Sequence, residues 1–215
     1  MIDGVVFDLD GVLLDSEQVW DETREELVRE RGGRWHDQAQ RDMMGMSSLE
    51  WSSYMHDELG LEHAPEEISA EVVRRLEARY RERLPLLPGA REAVERLAAH
   101  WPLALASSSN RELIDLALEL MGVEQLFRAT VSSEEVARGK PAPDVYLEAA
   151  RRLGIEPTRA AAIEDSHNGI RSAKAAGMCV IAIPNEHFPP GEKALAQADV
   201  VLGTLPELTP EVIDS

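Results

Sequence analysis

Short apolar runs bounded by turn-forming residues recur along the chain and alternate with helical patterns. The runs are apolar at consecutive positions and too short for helices, which is typical of strands buried on both faces of a parallel sheet. These predicted strands span residues 5–7, 103–106, 130–131, 160–163, 180–183 and 200–202. The predicted helices between them span residues 90–99, 111–121, 143–153 and 168–176. This alternation predicts a doubly wound, Rossmann-like α/β sheet, with ligands beyond the carboxyl ends of its strands.

The stretch between the first two predicted strands breaks this alternation, because it contains helical patterns and no strand. The helical patterns cover residues 16–31, 39–44, 48–59 and 65–83. We therefore expect an all-helical cap, residues 15–84, inserted after the first strand. The α/β catalytic core would then consist of residues 1–14 and 85–215.

The amino-acid composition limits the kinds of molecule that the protein can bind. The 215 residues include 40 acids against 22 lysines and arginines, which gives a formal charge of −18. A field of that sign repels nucleic acids and anionic membranes, so we expect neither as a partner. Cys179 is the single cysteine and lies in an apolar run, which predicts a buried thiol in a reducing, cytoplasmic environment. No apolar run approaches the ~18 residues of a membrane span.

Two pairs of acids directly follow predicted strands. Asp8 and Asp10 come after the first strand, and Glu164 and Asp165 come after the fourth. Taken alone, the first pair is also compatible with a solvated acidic turn, and the second with helix capping by Asp165 or Ser166. Carboxylates that meet at one sheet edge repel each other by about 4 kcal/mol at ~4 Å near a protein surface, and a divalent cation relieves that repulsion.

A hydroxyl-rich segment and a lysine follow two other strands. Ser107 leaves the second strand just before a helix start, where a hydroxyl and free N–H groups can bind phosphate oxygens. Helix N-capping by Ser108, Ser109 or Asn110 explains this segment at least as well by itself. Lys140 stands between glycine and proline, in a chain with three lysines and nineteen arginines. Its ammonium can neutralise a nucleophilic carboxylate and an incoming phosphate, although a solvated loop lysine has the same sequence context.

The order of these four segments is more specific than any one of them. An acid pair, a hydroxyl, a lysine and a second acid pair follow successive strands of one α/β chain. This order resembles the haloacid dehalogenase (HAD-like) superfamily over the full length, and most closely its β-phosphoglucomutase and phosphoglycolate phosphatase-like group. The resemblance implies a Mg²⁺-dependent phosphohydrolase that forms an aspartyl-phosphate and acts on a small phosphorylated metabolite.

The resemblance also implies a role for each motif residue. Asp8 would be the nucleophile and a magnesium ligand. Asp10 would be the general acid and base, with its backbone carbonyl also reaching the metal. Lys140 would hold the phosphoryl oxygens and act in catalysis. The remaining assignments are Gly11, Ser107, Ser108 and Asn110 for phosphate binding, Asp165 for metal binding, and Glu164 in a supporting position beside the metal.

The superfamily includes dehalogenases, phosphonate-cleaving enzymes and phosphosugar mutases besides phosphatases. Dehalogenases lack the second acid, so the presence of Asp10 favours a phosphate substrate. Phosphonate-cleaving relatives use a cap lysine, and residues 15–84 contain none. The mutase places a cap histidine and a cap arginine where this chain has Trp20 and Ser48, which favours hydrolysis of a sugar phosphate or phosphoglycolate-like ester over a phosphosugar mutase. A catalytically silent binding protein on the same scaffold is a further alternative, and we expect a monomer or weak homodimer.

Overall fold

A computed structural model of the chain describes residues 1–44, 46–185 and 189–214. Its sheet has six parallel strands in the order β3-β2-β1-β4-β5-β6. The strands are β1 (Gly4–Phe7), β2 (Leu103–Ser107), β3 (Phe127–Ser132), β4 (Ala160–Glu164), β5 (Cys179–Ala182) and β6 (Val200–Val201). Because the order reverses on either side of β1, the chain is doubly wound, as predicted.

Helices connect and cover these strands. In chain order they are α1 (Glu17–Glu30), α2 (Ala39–Met43), α3 (Ser48–Asp57), α4 (Pro65–Glu82), α5 (Ala90–Ala98), α6 (Arg111–Met121), α7 (Asp144–Leu153), α8 (His167–Ala175), α9 (Glu192–Leu195) and α10 (Pro210–Ile213). Each predicted helix is present, with ends within two residues of the predicted ones. The predicted α/β fold is confirmed.

The central strand β1 is buried on both faces, and alternate side chains enter different layers. Val5 and Phe7 pack into a core shared with α5 and α6, whereas Val6 packs into a core shared with α7 and α8. This explains why consecutive apolar residues, rather than alternating ones, mark the strand. At the sheet edge, β3 exposes Arg128, so its apolar run in the sequence is shorter than the strand itself.

Helices α1 to α4 all lie between β1 and α5 in the chain, where the sequence predicts helices alone. α3 begins at a capping box in which Ser47 and Glu50 satisfy each other's backbone N–H groups. Trp20 of α1 and Trp51 of α3 meet edge to face with ring centroids 5.9 Å apart. The ring contact joins α1 to α3, and the division of these helices from the core at residues 15 and 84 stays a prediction.

One residue departs from its predicted environment. Cys179 is half-buried rather than buried, because it begins β5 and its neighbour β6 pairs with residues further along that strand. Among the described residues, no helix combines the length and the apolar character needed to cross a membrane.

Candidate active site

The sheet topology brings the motif residues together. β1 pairs with β2 on one side and β4 on the other, in parallel register, so the residues that end these three strands are neighbours. Asp8 follows β1 directly, Ser107 ends β2, and Asp165 follows β4. Asp8 and Asp165 are 6% and 1% exposed, so the edge of the sheet carries ionisable groups that are almost wholly removed from water.

Lys140 provides the positive charge of this cluster. Its Nζ lies 2.9 Å from Oδ1 of Asp8 and 2.6 Å from Oε1 of Glu164, and its side chain is 2% exposed. Burial alone would lower the pKa of Lys140, but the two carboxylates outweigh that effect and place the pKa above its ordinary value. Lys140 is therefore a permanent cation beside the predicted nucleophile.

Glu164 holds Lys140 in place and is fully buried. One carboxylate oxygen accepts hydrogen bonds from Lys140 and from the hydroxyl of Tyr146 at 2.7 Å, and the other accepts from the backbone N–H groups of Asp165 and Ser166. Burial opposes ionisation, but Lys140 and these donors lower the pKa of Glu164 below its ordinary value. Tyr146 was not among the predicted site residues, because an aromatic residue on the apolar face of a helix looks like a core residue in the sequence.

Asp165 lacks the partners that Glu164 has. Both of its carboxylate oxygens are buried and make no hydrogen bond with the described residues. A carboxylate oxygen from each of Asp8, Glu164 and Asp165 lies within 4.8 Å of the others. Burial raises the pKa of Asp165 well above its ordinary value, and the nearby carboxylates of Glu164 and Asp8 raise it further. Unpartnered carboxylate oxygens in such a cluster are the donors that Mg²⁺ prefers, so these residues fit that ion.

Gly11 is the backbone position that lies against Asp165. It has φ +81°, and a Cβ atom on it would lie 1.9 Å from Oδ2 of Asp165. The left-handed conformation and the close contact both require glycine here. Its predicted place in phosphate binding is not tested by this contact, but the structure does bring it to the acidic cluster.

Asp10 is surrounded by serine hydroxyls. Ser16 donates to its Oδ1 at 2.5 Å, and Ser109 donates to its Oδ2 at 2.6 Å. Ser107 is a more distant donor to Oδ2, at 3.4 Å, and its own oxygen accepts from the backbone N–H of Ser109. Ser16 precedes α1 without capping it, because its hydroxyl is used by Asp10. Sequence reasoning considered only capping for Ser109 and missed Ser16, since serine before a helix is the usual sign of a cap.

A cavity of about 570 Å³ opens over the cluster. Asp8, Asp10, Lys140 and Asp165 line its floor together with Ser108, and residues of α1, α2 and α3 line its other side. The structure does not bring the Asn110 side chain to this cavity. That amide donates to Oε1 of Glu134 at 2.8 Å and lines a separate cavity of about 300 Å³.

Comparison with known proteins identifies relatives along most of the chain. Residues 2–177 match the family model described as haloacid dehalogenase-like hydrolase. Hexitol phosphatase B of Escherichia coli (strain K12) is 33% identical over 223 residues, which cover 95% of this chain and 93% of that protein. The bifunctional riboflavin kinase/FMN phosphatase of Arabidopsis thaliana is 32% identical over 94% of this chain, but the chain spans 53% of its length.

A solved structure of similar shape is that of CbbY from Rhodobacter sphaeroides in complex with phosphate. It superposes with a TM-score of 0.89 at 27% identity and covers 100% of both chains. The likeness therefore extends over the sheet and over the helices between β1 and α5 alike.

Proposed function

The chain belongs to the haloacid dehalogenase-like hydrolase family and is a phosphoric monoester hydrolase, and we propose that it hydrolyses a small phosphomonoester through an aspartyl-phosphate formed on Asp8 in a Mg²⁺-dependent reaction. A phosphorylated sugar or polyol, or a phosphoglycolate-like ester, is the proposed substrate. The observation that carries the proposal is the arrangement of Asp8, Lys140 and the unpartnered Asp165 on the floor of one cavity.

Mg²⁺ would be held by the carboxylates of Asp8 and Asp165 and by the backbone carbonyl of Asp10. When bound, it supplies positive charge that offsets the negative charge of the phosphoryl oxygens. Glu164 would support this site from behind, because its oxygens already accept from Lys140, Tyr146 and backbone N–H groups.

The chain's own residues account for the proton and bond changes. The carboxylate of Asp8 attacks phosphorus, so that an Asp8–phosphorus bond forms as the ester oxygen leaves, and Asp10 donates a proton to that oxygen. Asp10 then takes a proton from the water that attacks the aspartyl-phosphate, which releases inorganic phosphate and regenerates Asp8. Lys140 and the hydroxyl-bearing segment from Ser107 to Ser109 would contact the phosphoryl oxygens during both steps.

The helices between β1 and α5 would act as a cap that closes the cavity from above. Residues of α1, α2 and α3 line the cavity opposite the acidic cluster, which places them where the leaving group of the substrate would sit. Residues 15–84 would form this cap, and residues 1–14 and 85–215 would form the core. The acidic charge and the single cysteine support a cytoplasmic enzyme, and we further propose that it is a monomer or weak homodimer.

The nucleophile assignment is tested by Asp8→Asn, because an amide cannot form the aspartyl-phosphate. We expect Mg²⁺-dependent release of phosphate from p-nitrophenyl phosphate by the wild type, loss of that activity on chelation, and at least a ~10³-fold lower kcat in the variant. Asp57→Asn is the matched control, since Asp57 is an exposed carboxylate of α3. Equal rates for wild type and Asp8→Asn would refute the assignment.

Two outcomes would replace the proposal with the alternatives. Formation of glucose 6-phosphate from β-glucose 1-phosphate and a bisphosphate primer would identify a mutase. Binding of phosphate without turnover of any ester in a broad panel of sugar phosphates, phosphoglycolate and nucleotides would identify a silent binding protein.

A further inference from the structure

A buried arginine lies in the helices opposite the acidic cluster and forms no ion pair with the carboxylates that the structure describes. Arg24 of α1 is 5% exposed and lines the cavity. Its guanidinium carbon lies 4.4 Å from the ring centroid of Trp20 and 4.8 Å from that of Trp51. Among the described residues, no carboxylate pairs with it, and its Nε has no hydrogen-bond partner. A buried charge that lacks an ion-pair partner is costly, which directs attention to a ligand that could provide one.

The amide of Gln40 links Arg24 to Glu17, which lines the same cavity. Its Oε1 accepts from Nη1 of Arg24 at 3.3 Å, and its Nε2 donates to Oε2 of Glu17 at 2.9 Å. In a direct ion pair, Arg24 and Glu17 would bind each other, and neither would be available to a ligand. The intervening amide instead fixes one donor and one acceptor side by side on the cavity wall, with neither neutralised by the other.

The pKa values of Glu17 and Arg24 are both shifted, and burial is the largest cause of each shift. Burial raises the pKa of Glu17 to about 7, and Asp10 adds to the shift. Burial also lowers the pKa of Arg24 to about 10, although Glu17 and Asp10 oppose that change. Burial therefore costs both groups part of their hydration, and a ligand with matching polar groups would offset that cost.

We propose that Arg24 and Glu17 are specificity-determining residues that together recognise neighbouring hydroxyl groups of the substrate's leaving group. A hydroxyl group can accept a hydrogen bond from the guanidinium and donate one to the carboxylate. A polyol can therefore bond to both residues at once. A second anionic group on the substrate would be attracted by Arg24 but repelled by Glu17 and Asp10. The pair therefore selects a neutral polyhydroxylated ester, such as a sugar or alditol phosphate, over a phosphorylated acid or a bisphosphate.

This inference rests on the proposed phosphatase activity and narrows its substrate class. The test compares kcat/KM for three esters of similar length: sorbitol 6-phosphate, n-hexyl phosphate without hydroxyl groups, and 6-phosphogluconate with a terminal carboxylate. In the wild type we expect sorbitol 6-phosphate to be the best substrate by at least about tenfold.

Two substitutions probe the pair independently. Arg24→Met keeps an apolar chain between Trp20 and Trp51 but removes the donor, and Glu17→Gln keeps the shape but removes the charge. Each should lower kcat/KM for sorbitol 6-phosphate by roughly 10- to 100-fold while n-hexyl phosphate changes by less than about threefold. Unchanged hydrolysis of n-hexyl phosphate also shows that the variant has folded. Arg29→Met is the charge-matched control, since Arg29 is an exposed residue of α1 that pairs with Glu25.

Contrary results are equally specific. Equal losses on all three esters would assign Arg24 to the phosphoryl group or to the fold and overturn the proposal. A wild-type preference for 6-phosphogluconate that disappears in Arg24→Met would instead identify Arg24 as a site for a second anion.

A binding measurement separates failure of this inference from failure of the phosphatase assignment. Trp20 and Trp51 flank the guanidinium, so their fluorescence should report a ligand that contacts it. In the Asp8→Asn background, sorbitol 6-phosphate should bind at least about tenfold more tightly than n-hexyl phosphate, and Arg24→Met should remove that difference. If the wild type hydrolyses none of the esters, the phosphatase assignment fails, and equal affinities in this titration would independently overturn the hydroxyl-recognition proposal.

Discussion

Gly11 connects backbone conformation to the chemistry of the acidic cluster. It follows Asp10 with φ +81°, and its missing side chain leaves the space that the Asp165 carboxylate occupies. Any Cβ atom would overlap that carboxylate and displace it from its position in the cluster. The position therefore constrains the site through geometry, although glycine itself offers no ligand atom beyond its backbone.

We expect Gly11→Ala to weaken Mg²⁺ binding by roughly 10- to 100-fold, because displacement of Asp165 separates the carboxylates that would share the ion. Isothermal titration with Mg²⁺ measures this directly and does not depend on turnover. Gly32→Ala and Gly60→Ala are matched controls: both glycines have φ +77°, and a Cβ atom on either would meet no atom within 4 Å. These two variants should lose about 1 kcal/mol of stability and keep wild-type affinity for Mg²⁺. Equal affinity in Gly11→Ala would show that Asp165 is not held by this contact.

A site residue can be predicted from the sequence when its neighbours along the chain indicate its role. Asp8 and Lys140 are polar residues in contexts that a sequence reveals, a strand end and a glycine-proline loop, and the structure brings them within 2.9 Å. Tyr146 of α7, which donates to Glu164, has no such context. The same is true of Ser16, which precedes α1 and donates to Asp10. Both act through contacts between residues at least six positions apart, which the local sequence does not encode.

Elements were easier to predict than the contacts between them. The predicted helix 111–121 coincides with α6, because its apolar spacing and Gly122 at its end mark both boundaries. β3 was predicted as two residues and has six, since an edge strand exposes part of its length. The hydrogen bonds that join α3 to the core could not be predicted, because they depend on how the helices pack in three dimensions.

Glu134 makes such a connection between elements. Its Oε1 accepts from the hydroxyl of Ser48 at 2.7 Å, and its Oε2 accepts from the backbone N–H of Arg111 at 3.1 Å. Ser48 begins α3 and Arg111 begins α6, so one carboxylate joins a helix of the proposed cap to a helix of the core. This link lies at the edge of the smaller cavity.

We expect Ser48→Ala to loosen that link and make α3 open more often. Loss of an exposed hydrogen bond to a carboxylate should cost about 1 kcal/mol, which corresponds to a roughly fivefold faster amide exchange in α3. Hydrogen–deuterium exchange of the intact protein, compared with Ser53→Ala, provides the measurement. Ser53 lies on the same helix and makes no side-chain hydrogen bond with the described residues. Equal exchange in the two variants would show that Glu134 does not restrain α3.

At the scale of the whole protein, the formal charge of −18 opposes the approach of any phosphate ester. Lys140 and Arg24 are buried, so they act on a substrate that has entered the cavity and contribute little to the field outside it. The outer field reaches about 30 Å at 10 mM salt and about 8 Å at 150 mM. Salt should therefore help this enzyme to capture an anion, which is the reverse of what electrostatic steering gives in enzymes with a cationic entrance.

We expect kcat/KM for a phosphomonoester to rise roughly twofold to tenfold between 10 and 150 mM sodium chloride, at saturating Mg²⁺ so that loss of the metal does not mask the effect. The inhibition constant of inorganic phosphate should fall over the same range, because repulsion also weakens equilibrium binding. A bisphosphate inhibitor should show the steeper dependence, since its larger charge is repelled more strongly. If kcat/KM instead fell with salt, exposed cations at the cavity mouth, such as Arg41, would outweigh the net charge in guiding the substrate.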